Sequence, residues 1–329
     1  MRWKPLAIGA ASFVPGLLRL ARGRDATRGS DDPRYCYSVW LRHLVQIAES
    51  TGRNEFETVA ELGPGDSLGC LLMALLCGSR RALALDVVRY APTARNLHLL
   101  DSLVTLLRAR ADVPGDDEFP QIHPKLEQWR FPRRWLDDKR LGDALDPERI
   151  ASIRKAVVGR PNAHRIEVDY RVPWQGRLEP ESVDLVFSQA CLEHVEPVEA
   201  AWDAMARGLR PGGVVSHQID FKSHRVTPEW DGHRAYPDWA WRIVRGGRPY
   251  LLNRAPLSAQ LAWAERHFEL TRLRCVLRDP ELEPRALARR FRGLDERDRR
   301  CAGAFVVGTR RARRARAGDT RKEAPWPPS

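Results

Sequence analysis

The segment Glu61-Leu-Gly-Pro-Gly-Asp-Ser-Leu-Gly69 does most to restrict the fold of this chain. It follows the short apolar run Val59-Ala60 and enters the apolar segment Leu71–Leu76. That order reads as a strand passing through a glycine-bearing turn into a buried helix. An open α/β sheet builds a ligand crevice at such a point. Gly63 and Gly65 let the backbone approach a ligand where a Cβ would collide. The helix that follows directs its free N–H groups at the same place.

The residues downstream supply matching strands. Ala82-Leu-Ala-Leu-Asp86 predicts a second strand with Asp86 at its C-terminal tip, where a carboxylate can accept hydrogen bonds from both hydroxyls of a ribose. Arg165–Tyr170 predicts a third strand that again ends in an acid, Asp169, and Ser182–Ser188 a fourth that leads into Gln189-Ala-Cys-Leu-Glu-His194. A helix follows, with Pro197 near its first turn and Val198, Trp202, Met205 and Leu209 on one face. Leu209-Arg-Pro-Gly-Gly213 stops it, and Val214–Asp220 reads as a fifth strand. Other helices are expected at 33–49, after Pro92, after the N-cap Asp146 with Pro147 at N1, and near 257–267; further strands are expected near 268–276 and 303–308.

Here the ordered set Glu61–Gly69, Asp86, Ser182–His194 and Leu209–Gly213 resembles the class I S-adenosylmethionine (SAM)-dependent methyltransferases, closely over roughly 55–222. Arg34–His43 and Ser216–His224 extend the likeness to bacterial methyltransferases, some associated with surface-polysaccharide pathways. The resemblance implies an α/β fold: a Rossmann-like, mostly parallel seven-stranded sheet with helices on both faces, plus helical insertions. It implies SAM as cofactor. Matching positions assign Glu61, Gly63 and Gly65 to the methionine half, Asp86 to the ribose, Asp169 and the Tyr170 backbone to the adenine, and place Ser188 and Gln189 at the tip of strand four. A nicotinamide-dependent Rossmann enzyme is the rival reading. Its fingerprint requires a small residue three positions after the second glycine, and Leu68 stands there.

The acceptor side is carried by fewer residues. A hydroxyl acceptor needs a base, and His194, His217 and Asp220 are the candidates. His217 and Asp220 are separated by an odd number of residues along a strand, so they point to opposite faces and one of them is expected to serve. A metal set of His217, Asp220 and His224 has no diagnostic spacing, and no metal is assigned. The expected function is methyl transfer, at oxygen, to a small-molecule or glycan-linked acceptor. The alternatives are an RNA methyltransferase and a SAM-binding sensor or assembly protein without turnover.

Charge sets the domain outline. Of the net +12, residues 1–30 contribute +5, residues 309–329 another +5, and 31–308 only +2. A nearly neutral body argues against a broad nucleic-acid-binding face. The expected organisation is therefore a basic and apolar N-terminal segment (1–30), a catalytic domain (31–308) and a basic, disordered tail (309–329) containing Arg310–Arg316. The N-terminal run Leu6–Val14 has two readings: an interfacial anchor on the inner membrane face, or a helix packed on the domain. It falls short of the roughly 18 apolar residues of a membrane span. Six cysteines without a CxxC pair suit reduced thiols in a cytoplasmic protein. Oligomeric state is left open. Two insertions are expected, 110–163 and 222–256, each readable as a substrate element or as decoration. The second carries Trp230, Tyr236, Trp239, Trp241 and Tyr250 with His224 and His233.

Overall fold

A computed structural model describes residues 2–13, 30–248 and 251–311. The sequence readings that fall on Val14–Arg28, on Tyr250 and on the tail from residue 312 lie outside the described residues.

Seven strands form one sheet: β1 (Thr58–Leu62), β2 (Arg81–Leu85), β3 (Glu167–Arg171), β4 (Val183–Gln189), β5 (Leu209–Asp220), β6 (Phe268–Leu277) and β7 (Cys301–Arg310). Their order is β3-β2-β1-β4-β5-β7-β6. β1 to β5 pair in parallel, and β7 lies antiparallel between β5 and β6. This is the class I methyltransferase fold. The strand order reverses between β1 and β4, so the crevice opens at the C-terminal ends of those strands.

Alternation along the strands sorts the core into two halves. Val59, Ala82, Ala84, Leu185, Phe187 and Val214 pack with α2 (Pro33–Thr51), α3 (Gly69–Leu76), α4 (Thr93–Arg108) and α6 (Pro147–Val157). Ala60, Leu62, Leu83, Leu85, Val186, Val215 and Ile219 pack with α7 (Val198–Gly208) and α9 (Leu257–Glu265). The expected N-caps are present. Asp32 accepts from the N–H groups of Arg34 and Tyr35, and Asp146 from those of Glu148 and Arg149, each ahead of a proline.

Three boundaries differ from the sequence reading. β5 begins at Leu209, which pairs with Val183 rather than ending the preceding helix face; the register then jumps to Leu185↔Val214, and Arg210–Gly213 loops out between the two pairings. β7 starts at Cys301. β3 runs to Arg171, so Asp169 lies inside the strand opposite Leu83 and not at its tip.

The insertion after α4 is largely a cover over α2. Val113, Ile122, Leu126, Phe131, Leu136 and Leu141 enter the same core as that helix. Arg42, fully buried on α2, donates to the carbonyls of Pro114, Ile122 and Pro124, and its guanidinium stacks 4.5 Å from the Trp129 ring centroid. Tyr37 Oη and Ser38 Oγ donate to the carbonyls of Ala111 and Pro114. The second insertion folds around a small core of its own: Tyr236, Trp241, Val244 and Leu252. Of its aromatic rings, Trp239, on α8 (Asp238–Arg245), is exposed. Helix α1 (Trp3–Ala11) packs on α8, with Gly9 against the carbonyl oxygens of Ile243 and Val244, leaving no space for a Cβ.

Arg42→Met is expected to destabilise the protein by about 3 kcal/mol or more, because several buried carbonyls lose their donor at roughly 1–3 kcal/mol each. Urea denaturation measures the loss, and hydrogen exchange should accelerate first in 111–126. An unchanged transition midpoint would show that the insertion is held without this residue.

Candidate functional site

The crevice is built on the first turn. Gly63 and Gly65 both adopt φ of +71°, and Gly63 N–H donates to the Leu85 carbonyl at 2.8 Å, tying the turn to β2. Glu61, one residue short of the end of β1, is 4% exposed, and its Oε2 has no hydrogen-bond partner. Burial, with the nearby charge of Asp86, pushes its carboxyl up to about 8. A buried acceptor of this kind beside a glycine turn suits a ligand ammonium. Asp86, just past β2, is also largely buried. One oxygen accepts from the N–H of Val87 at 2.7 Å and of Val88 at 3.5 Å, which orients the carboxylate. Burial raises its pKa, while those backbone donors and that of Gly65 oppose the rise. Val88 and Tyr90, exposed large side chains beside Asp86, offer an apolar edge for a planar base. An ammonium acceptor, a close-approach turn, a ribose-type carboxylate and an apolar edge fit SAM.

Several expected site residues stand elsewhere. Asp169, with its side chain 48% exposed, is ion-paired at 2.8 Å with Arg171 on the same strand face. The expectation for Tyr170 concerns its backbone, which lies within β3 opposite Ala84; its side chain is turned away from Asp169, and its hydroxyl donates to the Val88 carbonyl at 3.4 Å and accepts from Tyr90 N–H at 3.3 Å. Ser188 and His217 are both fully buried and bonded to each other at 2.8 Å, with the His217 ring edge-on to Trp202. Burial, and then His43, hold His217 down to about 3, so it is neutral and sealed beneath α7. His217 is therefore a core residue rather than a base facing the crevice. The alternation argument had separated it from Asp220, and the core on that face claimed it. Gln189 does reach the strand tip; its Oε1 bonds His43 Nε2 at 3.1 Å, and its Nε2 donates to the His123 carbonyl at 3.2 Å.

A second group gathers where β4 and β5 end. A 3-10 turn at Leu192–His194 carries Glu193, 3% exposed, and His194. His224, from the loop after β5, lies edge-on to His194 with ring centroids 4.9 Å apart. Its Nε2 is 3.4 Å from Asp220 Oδ2 and 3.9 Å from Glu193 Oε1. Lys222 Nζ is 2.9 Å from Asp220 Oδ2. Burial works against the Asp220 charge, but His224 and Lys222 together hold it down to about 2. Burial, then repulsion from Asp220, drives Glu193 well above the carboxylate range. Asn253 fixes this turn: its Nδ2 donates to the carbonyls of Leu192 and Val195, and its own N–H to the Glu193 carbonyl. Lys222, Glu193 and Asn253 are not among the expected active residues, and His224 enters the sequence reading only in the unassigned metal set with His217 and Asp220. A signal was present in the unusual density of polar residues just past the two strands, but their convergence is a tertiary fact.

The two groups adjoin. Cys191, at the start of the 3-10 turn, touches Gly63 so closely that a Cβ there would overlap its Sγ. After burial, the charges of Glu193, Asp86 and Glu61 all raise the Cys191 thiol.

A family model described as a methyltransferase domain matches residues 144–216. No curated protein matches the chain in sequence. Among solved structures, the chain is similar to a SAM-dependent methyltransferase from Mesorhizobium loti, at 14% identity over 78% of this chain and 91% of that one, with a TM-score of 0.38. It is also similar to one from Methanosarcina mazei, at 11% identity over 79% and 95%, with a TM-score of 0.40.

The Glu61 carboxyl predicts a pH effect on the unliganded protein. Its pKa rises from 4.5 to about 8 on folding, so the folded chain keeps a proton that the unfolded chain has lost. That contribution to stability is complete below about pH 4.5 and is lost as pH rises through about 8. Glu61→Gln removes the loss. The melting temperature of the variant should therefore exceed that of the parent by a margin that widens from pH 5 to pH 8, and a constant margin would contradict the buried-carboxyl assignment.

Proposed function

We propose that this SAM-dependent methyltransferase transfers its methyl group to a hydroxyl of a polar acceptor, a small molecule or a glycan-linked unit, bound where β4 and β5 end. One observation carries this reading. A small, partly open pocket lies there, lined mostly by polar and charged side chains, among them Glu193, Asp220, Lys222, His233 and Asn253. Such a lining offers a polyhydroxylated molecule many hydrogen bonds and offers an apolar one little.

SAM, when bound, supplies a methyl group already activated by its sulfonium. The work left to the protein is positioning and the exclusion of water. Glu61 takes the ammonium of the methionine half, and the backbone at Gly63 and Gly65 closes on its carbon chain. Asp86 takes the ribose hydroxyls, with Val88 and Tyr90 flanking the base. Asp169 is omitted from this assignment because Arg171 occupies it on the outer strand face. On the acceptor side, one imidazole of the His194–His224 pair receives the hydroxyl proton, with Asp220 Oδ2 3.4 Å from His224 Nε2. Glu61, the glycine turn and Asp86 would hold SAM to supply the methyl group to that oxygen, with its sulfur as the leaving group. Glu193 and the Asn253 clamp set where the His194 ring stands.

Calorimetric titration with SAM tests the cofactor side. Asp86→Ala should weaken binding roughly ten- to a hundredfold, the value of a charged hydrogen bond of about 1.5–3 kcal/mol. Incubation with methyl-labelled SAM and a panel of hydroxylated acceptors then tests the rest. Label should enter sugars or sugar conjugates in preference to apolar phenols, and the reverse preference would overturn the acceptor class.

A second observation favours work at a membrane surface. No described helix is long and apolar enough to cross a membrane. α1 nevertheless exposes Trp3, Lys4, Ala7, Ile8, Ala10 and Ala11, and α8 exposes Trp239, Arg242 and Ile243 beside it. Paired tryptophans among aliphatic and basic residues compose an interfacial surface. We propose peripheral contact of this face with anionic lipid. Co-sedimentation with phosphatidylglycerol vesicles should fall about tenfold for a Trp3→Ser, Ile8→Ser double variant. Equal binding by variant and parent would sink the idea.

A further inference from the structure

Methyl transfer gives Glu193 no charge to balance it. Its side chain is 3% exposed, and neither carboxylate oxygen has a hydrogen-bond partner. A carboxyl left bare in a protein interior costs several kcal/mol unless it is protonated or meets a cation. It cannot withdraw, because Asn253 holds the backbone on both sides at 2.7–2.8 Å. The nearest imidazole is that of His224, and the next residue in the chain supplies a second, His194. One ligand atom from each of Glu193, His194 and His224 lies within 4.8 Å of the other two. The loop that delivers His224 is also unusual: His224 and Arg225 both have positive φ, 46° and 64°. Consecutive non-glycine residues in that region cost roughly 1–2 kcal/mol each. The conformation keeps the imidazole turned back toward the tip of β4.

We propose that Glu193, His194 and His224 form a site for one divalent transition-metal cation beside the acceptor pocket, whose lining Glu193 shares. The proposal rests on the assignment of that pocket to the acceptor. Two imidazoles and a carboxylate suit manganese, iron, cobalt or zinc better than magnesium or calcium, which favour oxygen ligands. Ligand bonds of about 2.0–2.2 Å would draw the three atoms to roughly 3–3.5 Å spacing, a contraction within reach of the exposed 224–225 loop. Asp220 stays outside the set because Lys222 already occupies it. Three protein ligands leave coordination positions for an acceptor hydroxyl, which ionises more readily on a cation. With the cation bound, the proton would leave to water, because the imidazoles that take it in the metal-free protein are then occupied as ligands. The oxygen–methyl bond forms as the sulfur–methyl bond breaks, and no oxidant or reductant is needed.

The full chain, dialysed against a chelator, is titrated with Co²⁺ followed by visible absorption. The expected result is saturation at one equivalent, with d–d bands of a nitrogen-containing site. His224→Ala, on an exposed loop, should weaken binding about tenfold or more, and Glu193→Gln should do the same. Calorimetry on each variant should return the parent affinity for SAM, which certifies the fold. Absence of stoichiometric Co²⁺ binding, or binding untouched by His224→Ala in a protein that still binds SAM, overturns the metal site and leaves the methyl-transfer reading in place. Undiminished methyl transfer to a hydroxylated acceptor by the chelated protein overturns the cation's part in the reaction. Stoichiometric, His224-dependent Co²⁺ binding with no transfer to any hydroxylated acceptor supports the site and counts instead against the acceptor assignment.

Discussion

Two adjacent polar residues on one buried helix hold the protein's layers in place. Arg42 and His43 on α2 are both fully buried, and they reach in different directions. Arg42 satisfies carbonyls of the covering insertion, while His43 bonds Ser216 on β5 at 2.7 Å and Gln189 on β4 at 3.1 Å. Burial holds His43 down to about 4, so it acts there as a neutral bridge. A helix that only packed could slide along the sheet. One whose polar groups are matched to particular strand ends and loop carbonyls has a single register, since any shift strands buried donors. The tips of β4 and β5, where the chemistry gathers, take their positions from that register.

Much of the cofactor side was legible in the chain because it is local. A turn, its glycines and the acid at the next strand tip are set by contiguous residues, and alternation fixes which way each one faces. The positions of Glu61 near the end of β1 and Asp86 just past β2 could be read that way. Asp169 could not, because a strand's end depends on how far its neighbour continues. β2 pairs with β3 through Arg171 and carries Asp169 back from the tip. His217 failed for a related reason. Its strand position was read well, but nothing local tells that Trp202 and Ser188 would seal it inside.

The acceptor side was poorly legible because it is assembled from three separate stretches: the turn after β4, the loop after β5 and the segment around Asn253. Each stretch is ordinary by itself. Only the fold brings a buried carboxyl, two imidazoles and a lysine–aspartate pair to one place. The aromatic cluster of the second insertion is readable in the sequence either as a substrate element or as packing. Tyr236 and Trp241 pack, forming the core of a small subdomain that supports α1.

The seat of Cys191 on Gly63 has a consequence for the order of events. The two surfaces touch through a sulfur atom and a backbone with no room for a Cβ. A shift of the glycine turn toward β4 therefore meets the 3-10 turn that carries Glu193 and His194. Where such a contact couples two ligands, each must alter the other's affinity by the same factor.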